Sequence, residues 1–187
     1  MNLEKQLKKG KKALKKGKII LYPTDTVWGI GCDATNKKAV EKIYKLKKRD
    51  SSKSLIILVN GFDMLKDYVT TVPKETLEYL ENQTVPTTVI YNTPNKIAKN
   101  AIALDGTIAI RIVSKGFAND LITFFGKPIV STSANISKKP MPKCFDEISK
   151  KIIKKIDFIV PMDQQKSSPK SSKIIRFTNG NIEVLRD

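Results

Sequence analysis

Apolar and polar positions follow two different periods along this chain, which predicts strands interleaved with helices. Short apolar runs bounded by polar or turn residues are typical of buried strands. The predicted strands are Lys18 to Tyr22, Leu55 to Val59, Thr87 to Tyr91, Thr107 to Val113, Ile129 to Thr132, Phe158 to Val160, and the pair Lys173 to Phe177 and Ile182 to Leu185 around Asn179-Gly180.

Helical spacing of apolar residues separates these runs. The predicted helices are a lysine-rich N-terminal helix ended by Gly17, then Lys38 to Lys48, Phe62 to Tyr68, Pro73 to Glu81, Ala118 to Phe125, and Cys144 to Ile153. The apolar face of the first helix, with Leu3, Leu7 and Leu14, is expected to cover a sheet, and Asn36 is expected to cap the second helix. Several connections are short enough for antiparallel pairing. The predicted fold class is therefore α/β, with a twisted, mixed parallel and antiparallel open sheet and flanking helices.

The length of 187 residues suits one domain that spans residues 1–187. Within it, the polar stretch from Met162 to Ser172 is predicted to be a lid or linker. No apolar run approaches the ~20 residues of a membrane span, and no signal-peptide core follows the basic N-terminus. We therefore expect a cytoplasmic protein without a membrane partner.

The charge balance is strongly basic, with 35 Lys and Arg residues, 18 Asp and Glu residues and a net charge of +17. This favours polyanionic partners such as nucleotides, pyrophosphate or RNA, although a general preference for lysine would explain it equally well. Because lysine dominates, the few arginines are informative. They are Arg49, Arg111, Arg176 and Arg186. We expect them where a planar fork is needed, either for a carboxylate or phosphate or in a buried ion pair.

Some kinds of chemistry are excluded by composition. The chain has no histidine, so Ser-His-Asp and Cys-His catalysis and metal sites that contain histidine cannot occur. Its two cysteines, Cys32 and Cys144, are far apart and lie in no CxxC motif. They indicate neither a zinc site nor a disulfide framework.

Three segments carry residues suited to a phosphorylated ligand: Tyr22 to Ala34, Lys47 to Arg49 and Ser131 to Asn135. The first is a strand exit rich in hydroxyls and glycines, the second a fixed cationic pair, and the third a small polar turn after an apolar strand. Each has a structural alternative, namely an Asx turn, a basic helix end favoured by the helix dipole, and a capped loop. Together they predict one nucleotide site.

The first segment brings Thr24, Asp25 and Thr26 to the carboxyl end of a strand, where open α/β sheets bind ligands. Gly29 and Gly31 are predicted to let the backbone turn tightly or approach a ligand.

Two further cations extend the predicted site. Lys53 follows Arg49 by four residues, and the helix dipole that explains Lys47 does not explain Lys53. Arg111 lies inside an apolar strand between two isoleucines. If it is buried it needs a partner, which a ligand carboxylate or phosphate in a cleft would supply.

The motifs occur in an order that resembles the YrdC-like family of L-threonylcarbamoyladenylate synthases. They are PTDTVWGIG, the KxR of Lys47 to Arg49, TIAIR, the SxN of Ser133 to Asn135, a late SKII and a terminal VLR. The resemblance extends from about Lys18 to Arg186. It implies a twisted mixed sheet around a large basic cleft, in the short form that lacks a C-terminal second domain.

The resemblance also implies a reaction. Members of that family condense L-threonine, bicarbonate and ATP into threonylcarbamoyl-AMP and pyrophosphate, for the threonylcarbamoyladenosine modification of tRNA. Mg²⁺ is expected with ATP, and Asp25 is a candidate metal ligand that the sequence leaves open. Partner proteins of tRNA modification are expected, and tRNA or other RNA is expected to bind weakly.

Residue roles follow from the matching motifs. The implied catalytic residues are Lys47 and Arg49. The implied threonine-binding residues are Thr26, Arg111, Ser133 and Ser172. The implied ATP-binding residues are Arg49, Lys53, Thr107, Asn135, Lys143 and Arg186. Departures from the family's usual residues occur at Asp50, Leu58, Val85 to Thr88, Lys138, Lys143, Ser171 and Arg176. They affect the predicted nucleotide contacts more than the reaction.

Two other functions stay open at this point. One is an RNA-binding or tRNA-binding module of the same fold without synthase activity, although only 7% of residues are aromatic and no RRM or KH signature is present. The other is a carbamoyl-transferring domain of the kind found in hydrogenase maturation, whose zinc-binding and second catalytic modules are absent from this sequence. Conversion of ATP to AMP that depends on threonine would separate the synthase from both.

Overall fold

Strands and helices alternate along the chain, as the apolar pattern predicts. The computed structural model describes residues 2–161, 171–178 and 180–187. The strands are β1 (Ile20–Tyr22), β2 (Gly29–Asp33), β3 (Ile56–Val59), β4 (Thr87–Tyr91), β5 (Ile108–Ile112), β6 (Ile129–Ser133), β7 (Phe158–Ile159), β8 (Lys173–Thr178) and β9 (Asn181–Arg186). The helices are α1 (Leu3–Lys15), α2 (Lys37–Lys47), α3 (Phe62–Tyr68), α4 (Lys74–Glu81), α5 (Gly116–Phe125) and α6 (Lys150–Ile153). Short 3₁₀ turns occupy Lys99–Ala101 and Phe145–Glu147.

All of these strands join one sheet, in the order β7-β1-β2-β6-β3-β5-β4-β8-β9. The pairs β1/β7, β3/β5 and β4/β8 are parallel. The pairs β1/β2, β2/β6, β3/β6, β4/β5 and β8/β9 are antiparallel. The predicted mixed open sheet with flanking helices is confirmed.

The two faces of the sheet are covered differently. One face packs its aliphatic side chains, such as Ile57 and Val130, against α2 in the larger apolar cluster. On the opposite face, Leu58 and Ile129 pack with α1 and α5 in a second cluster. Arg111 pairs directly with Leu58 across β5 and β3, so its side chain shares that second face. The second apolar cluster and the polar region around Arg111 therefore occupy different parts of the same sheet face.

The tight turn predicted at Gly29 and Gly31 is wrong, because both lie in a strand, but Gly29 lines the cavity described below, so a close approach of its backbone to a ligand stays a prediction. Both lie within β2, and Gly29 pairs with Tyr22 of β1. A Cβ placed on Gly31 would lie 2.7 Å from Cε1 of Tyr22 and 2.6 Å from the carbonyl oxygen of Val130. The glycines therefore make room for an aromatic ring that lies across β2.

The first two helices show which local signals held. The Asn36 cap is confirmed, because its Oδ1 accepts a hydrogen bond from the backbone N–H of Ala39 at 3.1 Å. In α1, Leu14 is buried but Leu3 is 43% exposed, so the predicted placement of Leu3 on the covering face is wrong. The face of α1 that packs against α5 includes Gly10, because a Cβ there would lie 2.9 Å from Cδ1 of Leu121.

The single helix predicted over Cys144 to Ile153 is wrong except for its last turn, Lys150–Ile153, which is helical. The segment forms the 3₁₀ turn at Phe145–Glu147, and α6 starts separately after Ser149, whose hydroxyl accepts from the N–H of Lys151 at 3.3 Å. The Phe145 ring stands edge-on to Trp28, with 5.3 Å between the ring centroids. This aromatic contact and the Ser149 cap divide the segment, although its apolar spacing is helical.

Most of the predicted lid or linker, residues 162–170, and the turn residue Asn179 lie outside the described residues. Ser171 and Ser172 are described, and Ser172 is buried. Across the described ranges, every helix is too short or too polar to cross a membrane.

The packing of β2 generates a stability prediction. Gly31→Ala should lower the free energy of unfolding by about 1–3 kcal/mol, because the new methyl group meets a backbone carbonyl that cannot move aside. Gly10→Ala is the matched control, since the short contact of its methyl group is with the end of the Leu121 side chain, the Phe158 ring lies at an ordinary 3.8 Å, and the gain of up to about 1 kcal/mol in helix propensity offsets the short contact. Urea unfolding followed by circular dichroism measures both. Equal destabilisation by the two substitutions would contradict this account.

Candidate active site

A cavity of about 270 Å³ lies on the sheet face that carries Arg111. Its wall comes from the loop after β1, from β5 and β6, from the residues before β8, and from the end of β9. Six residues predicted from the sequence line it: Thr26, Arg49, Arg111, Ser133, Ser172 and Arg186. Among the described residues this wall contains three arginines and no acidic side chain. The cavity therefore suits an anionic ligand.

Arg111 is the most buried of these arginines, with only 3% of the residue exposed. Its Nη1 donates to Oδ2 of Asp25 at 3.0 Å, while its buried Nε has no partner among the described residues. Burial lowers the pKa of Arg111, and the Asp25 carboxylate counteracts this effect. A buried hydrogen-bond donor without an acceptor costs free energy, so an oxygen atom that accepted a hydrogen bond from Nε would stabilise the guanidinium.

A polar chain joins the far wall of the cavity. Thr88 on β4 pairs directly with Arg111 on β5, and its hydroxyl lies 2.8 Å from the hydroxyl of Ser172. Arg186 donates from Nε and Nη2 to the Ser172 carbonyl oxygen at 3.1 and 2.7 Å. Burial, and then the charge of Arg111, lowers the pKa of Arg186. Sequence reasoning assigned no role to Thr88, although a fully buried threonine next to an arginine in a sheet indicates a polar contact.

Arg49 is held by the loop that follows α2. Its Nε donates to the carbonyl oxygen of Lys53 at 3.2 Å, and its Nη2 donates to that of Ser54 at 2.8 Å. Burial lowers the pKa of Arg49. Lys53 contributes this carbonyl, but its side chain is exposed and does not line the cavity. The ATP-binding role of Lys53 stays a prediction.

Lys47 is buried behind the cavity and does not line it. Its Nζ donates to the carbonyl oxygen of Ser133, and to the carbonyl oxygen and Oδ1 of Asn135 at 2.7 and 3.2 Å. Burial, and then the charge of Arg49, lowers the pKa of Lys47 to about 7, whereas its three oxygen acceptors favour the ammonium form. Lys47 therefore holds the SxN turn in place, and a direct catalytic role stays a prediction.

The SxN turn is further tied by its own side chains. The Ser133 hydroxyl donates to Oδ1 of Asn135 at 2.5 Å, and Nδ2 of Asn135 donates to the carbonyl oxygen of Lys139. Ser133 lines the cavity, but Asn135 lines a neighbouring groove of about 800 Å³ instead. One turn thus separates two concave surfaces.

Two residues predicted to bind ATP lie elsewhere. The Thr107 hydroxyl donates to Asp105 at 2.6 Å, and Asp105 also lies 3.7 Å from Arg176. The backbone N–H of Lys143 donates to Glu147 at 2.7 Å, and the residue is exposed. Neither Thr107 nor Lys143 lines the cavity, so their roles stay predictions.

The TDT segment forms the rim of the cavity through local hydrogen bonds. The Thr24 hydroxyl donates to the carbonyl oxygen of Val27 at 2.7 Å and accepts from the N–H groups of Thr26 and Val27 at 3.1 and 3.2 Å. It is also 3.0 Å from the Thr26 hydroxyl. The segment thus forms a side-chain turn through Thr24 and not the Asx turn given as the alternative, since the Asp25 carboxylate bonds Arg111, and this turn places two threonines in the wall.

No cluster of three or more potential metal ligands of the His, Cys, Asp or Glu type occurs within the described residues. The Asp25 carboxylate, the candidate metal ligand, pairs with Arg111 at 3.0 Å.

Comparison with known proteins shows which protein family the chain belongs to. A family model named for Sua5, YciO and YrdC, with the description "Telomere recombination", matches residues 12–187. A protein of Methanocaldococcus jannaschii, provisionally named a threonylcarbamoyl-AMP synthase, is 34% identical over 184 residues, which cover 95% of this chain and 83% of that protein. The threonylcarbamoyl-AMP synthase of Vibrio vulnificus is 31% identical over 153 residues, which cover 80% and 82% of the two chains.

A solved structure has the same fold. The crystal structure of P. abyssi Sua5 complexed with L-threonine superimposes with a TM-score of 0.88 at 26% identity. The match covers 100% of this chain and 54% of that one, so this chain spans about half the length of P. abyssi Sua5. On its near-complete match to the family model and on these relatives, the chain belongs to the Sua5/YciO/YrdC family.

Proposed function

We propose that this protein is a threonylcarbamoyl-AMP synthase, which condenses L-threonine, bicarbonate and ATP and releases pyrophosphate. The observation that supports this most is Arg111, a buried arginine whose Nε lacks a partner among the residues that the structure describes, at a cavity with three arginines in its wall. The names of the relatives point to the same reaction, and P. abyssi Sua5 was crystallised with L-threonine.

Threonine fits the part of the cavity next to Arg111. The guanidinium offers a planar fork to the α-carboxylate, and a bidentate pair of this kind is both strong and directional. The hydroxyls of Thr26 and Ser133 lie in the same wall and can bond the polar groups of the amino acid. In this arrangement Asp25 keeps Arg111 oriented when no substrate is bound.

ATP is proposed to bind at Arg49 and Arg186 and to extend past the SxN turn. The cavity of about 270 Å³ is smaller than the usual ligand site of about 300–1,000 Å³, so a nucleotide needs space beyond it. The neighbouring groove, bordered by Asn135, supplies that space. Mg²⁺ would arrive on the phosphates and neutralise their charge, with most of its remaining ligands being water.

The reaction needs positioning more than a strong nucleophile. The neutral amine of threonine adds to bicarbonate, and water leaves, to give a carbamate. A carbamate oxygen then attacks the α-phosphorus, the bond to the β-phosphate oxygen breaks, and pyrophosphate leaves. Fixed cations such as Arg49 and Arg186 can stabilise charge that develops on the phosphates, and Lys47 acts by holding the turn that carries Ser133.

The wider setting follows from the product. Threonylcarbamoyl-AMP would be passed to proteins that modify tRNA, in the cytoplasm where ATP and tRNA meet. The net charge of +17 favours weak and salt-dependent contact with tRNA, without a requirement for tRNA in the synthase reaction.

The reaction itself is the first test of the proposed function. Purified protein with Mg-ATP should release pyrophosphate only when L-threonine and bicarbonate are both present, because the attacking carbamate is made from both. A coupled pyrophosphate assay with each substrate omitted in turn measures this. Equal turnover without threonine or without bicarbonate would refute the proposal.

Arg111→Lys tests the threonine site. Lysine keeps the charge but cannot form the second parallel bond, which is worth roughly 1.5–3 kcal/mol at a charged partner. Threonine affinity measured by calorimetry should fall about tenfold or more, while ATP affinity stays near the wild-type value. Arg176→Lys is the matched control, because Arg176 pairs with Asp105 outside the cavity. If Arg111→Lys instead weakened ATP binding and left threonine binding intact, Arg111 would belong to the ATP site and not to the threonine site.

Arg49→Ala tests the phosphate site. Loss of a preorganised cation should lower kcat/KM for ATP by on the order of 10²-fold. Lys74→Ala is the control, because Lys74 forms an exposed ion pair with Glu78 on α4 and lines neither the cavity nor the neighbouring groove. Circular dichroism shows whether both variants fold. A folded Arg49→Ala variant with wild-type turnover would place the phosphates elsewhere.

A further inference from the structure

Tyr22 is a buried tyrosine whose hydroxyl has no hydrogen-bond partner among the described residues. It lies on β1, directly beside the proposed synthase site. Buried hydroxyls are nearly always bonded, and each exception needs an explanation. Apolar packing alone would be served equally well by phenylalanine.

The surroundings of the ring show where the hydroxyl points. Cε1 of Tyr22 would lie 3.5 Å from a Cβ on Gly29 and 2.7 Å from one on Gly31. The Ser131 hydroxyl would lie 3.0 Å from that same Cβ on Gly29. The ring therefore crosses β2 and reaches the neighbourhood of Ser131 on β6, which the two glycines make possible.

Charge and titration agree with this placement. Burial raises the pKa of Tyr22, while the Ser131 hydroxyl and the charge of Arg111 act to lower it. Ser131 lines the cavity, so it is the member of the pair that can touch substrate.

We propose that Tyr22 and Ser131 form a hydroxyl relay that binds bicarbonate, in which Tyr22 is a positioning residue and Ser131 makes the contact. This inference rests on the proposed function and adds a subsite to it. When substrate binds, Tyr22 donates to the Ser131 oxygen, since hydrogen bonds of active sites are often long before the substrate arrives.

The direction of the relay selects the ligand. A serine hydroxyl has a single proton, and a donor behind its oxygen leaves that proton free to point into the cavity. Ser131 then presents a polarised donor to an anion oxygen, next to the positive charge of Arg111. Of the three substrates, bicarbonate is the one small enough to use a donor this close to the sheet, and it must meet the amine of the threonine whose carboxylate is proposed to bind Arg111.

Tyr22→Phe tests the relay, because it removes one oxygen and leaves the ring packing in place. We expect kcat/KM for bicarbonate to fall roughly tenfold or more, with affinities for ATP and threonine within about twofold of wild type. The melting temperature should stay the same or rise, because a buried hydroxyl without a partner is lost. Tyr91→Phe is the matched control, since Tyr91 is a buried tyrosine on the opposite face of the sheet, in the larger apolar cluster.

A double-mutant cycle measures whether Tyr22 and Ser131 act together, a coupling that a packing role of Tyr22 alone would not produce. Ser131→Ala should cause a loss at least as large as that of Tyr22→Phe, and the double variant should lose no more than Ser131→Ala alone, because both changes break one relay. Additive losses, or a Tyr22→Phe variant with wild-type kcat/KM for bicarbonate, would overturn the proposal.

Binding without turnover separates this inference from the proposed function. With L-threonine and a non-hydrolysable ATP analogue present, bicarbonate should raise the melting temperature of the wild type but not of Tyr22→Phe. This result would support the relay even if the wild type released no pyrophosphate. The same shift in both proteins, or no shift in either, would refute a bicarbonate subsite at Ser131.

Discussion

The burial of one positive charge in the sheet determines how the rest of the site is arranged. Arg111 lies in a central strand, where an unpaired guanidinium would be strongly unfavourable. Asp25 satisfies one of its nitrogens, and this contact ties the loop after β1 to β5. The same loop bears Thr26, so the ion pair and the placement of a cavity-lining hydroxyl depend on one another. Because Nε stays without a partner within the described part of the chain, the pair is incomplete in a way that a ligand carboxylate can complete.

A second constraint is the support given to the SxN turn. The ammonium group of Lys47 donates hydrogen bonds to three oxygens of Ser133 and Asn135, and Nδ2 of Asn135 donates to the carbonyl oxygen of Lys139. A turn held by a buried cation is well suited to present Ser133 on one side and a nucleotide-sized groove on the other. The lysine of the KxR motif thus acts behind the surface, while Arg49 of the same motif lies at the surface. The two side chains of this short motif lie in different places because Lys48, between them, adopts the left-handed conformation and ends the helix.

The glycines of β2 show how packing and chemistry meet. Because Gly29 and Gly31 have no side chains, they leave space across β2, and the Tyr22 ring fills that space. This explains why a fully buried strand contains residues that usually weaken strands. It also brings a phenol group beneath the polar end of β6, which no local pattern in β1 or β6 would show.

Most of the order of strands and helices, the Asn36 cap and the selection of Arg49, Arg111 and Arg186, which line the cavity, could be predicted from the sequence, because each depends on local periodicity or on residue chemistry. Strand β2 was missed, since glycines and a cysteine carry no strand signal and their burial comes from Tyr22. The helix over Cys144 to Ile153 was mispredicted because the Phe145 contact with Trp28, more than a hundred residues away in sequence, decides the backbone there. Lys47 looked like a phosphate ligand beside Arg49, and only the fold shows that carbonyl oxygens of β6 and the SxN turn surround its ammonium group. The sequence by itself thus determined which residue types are available and the periods of the strands and helices. The tertiary structure decided which side chains meet, because partners such as Arg111 and Asp25 are brought together only by the pairing of distant strands.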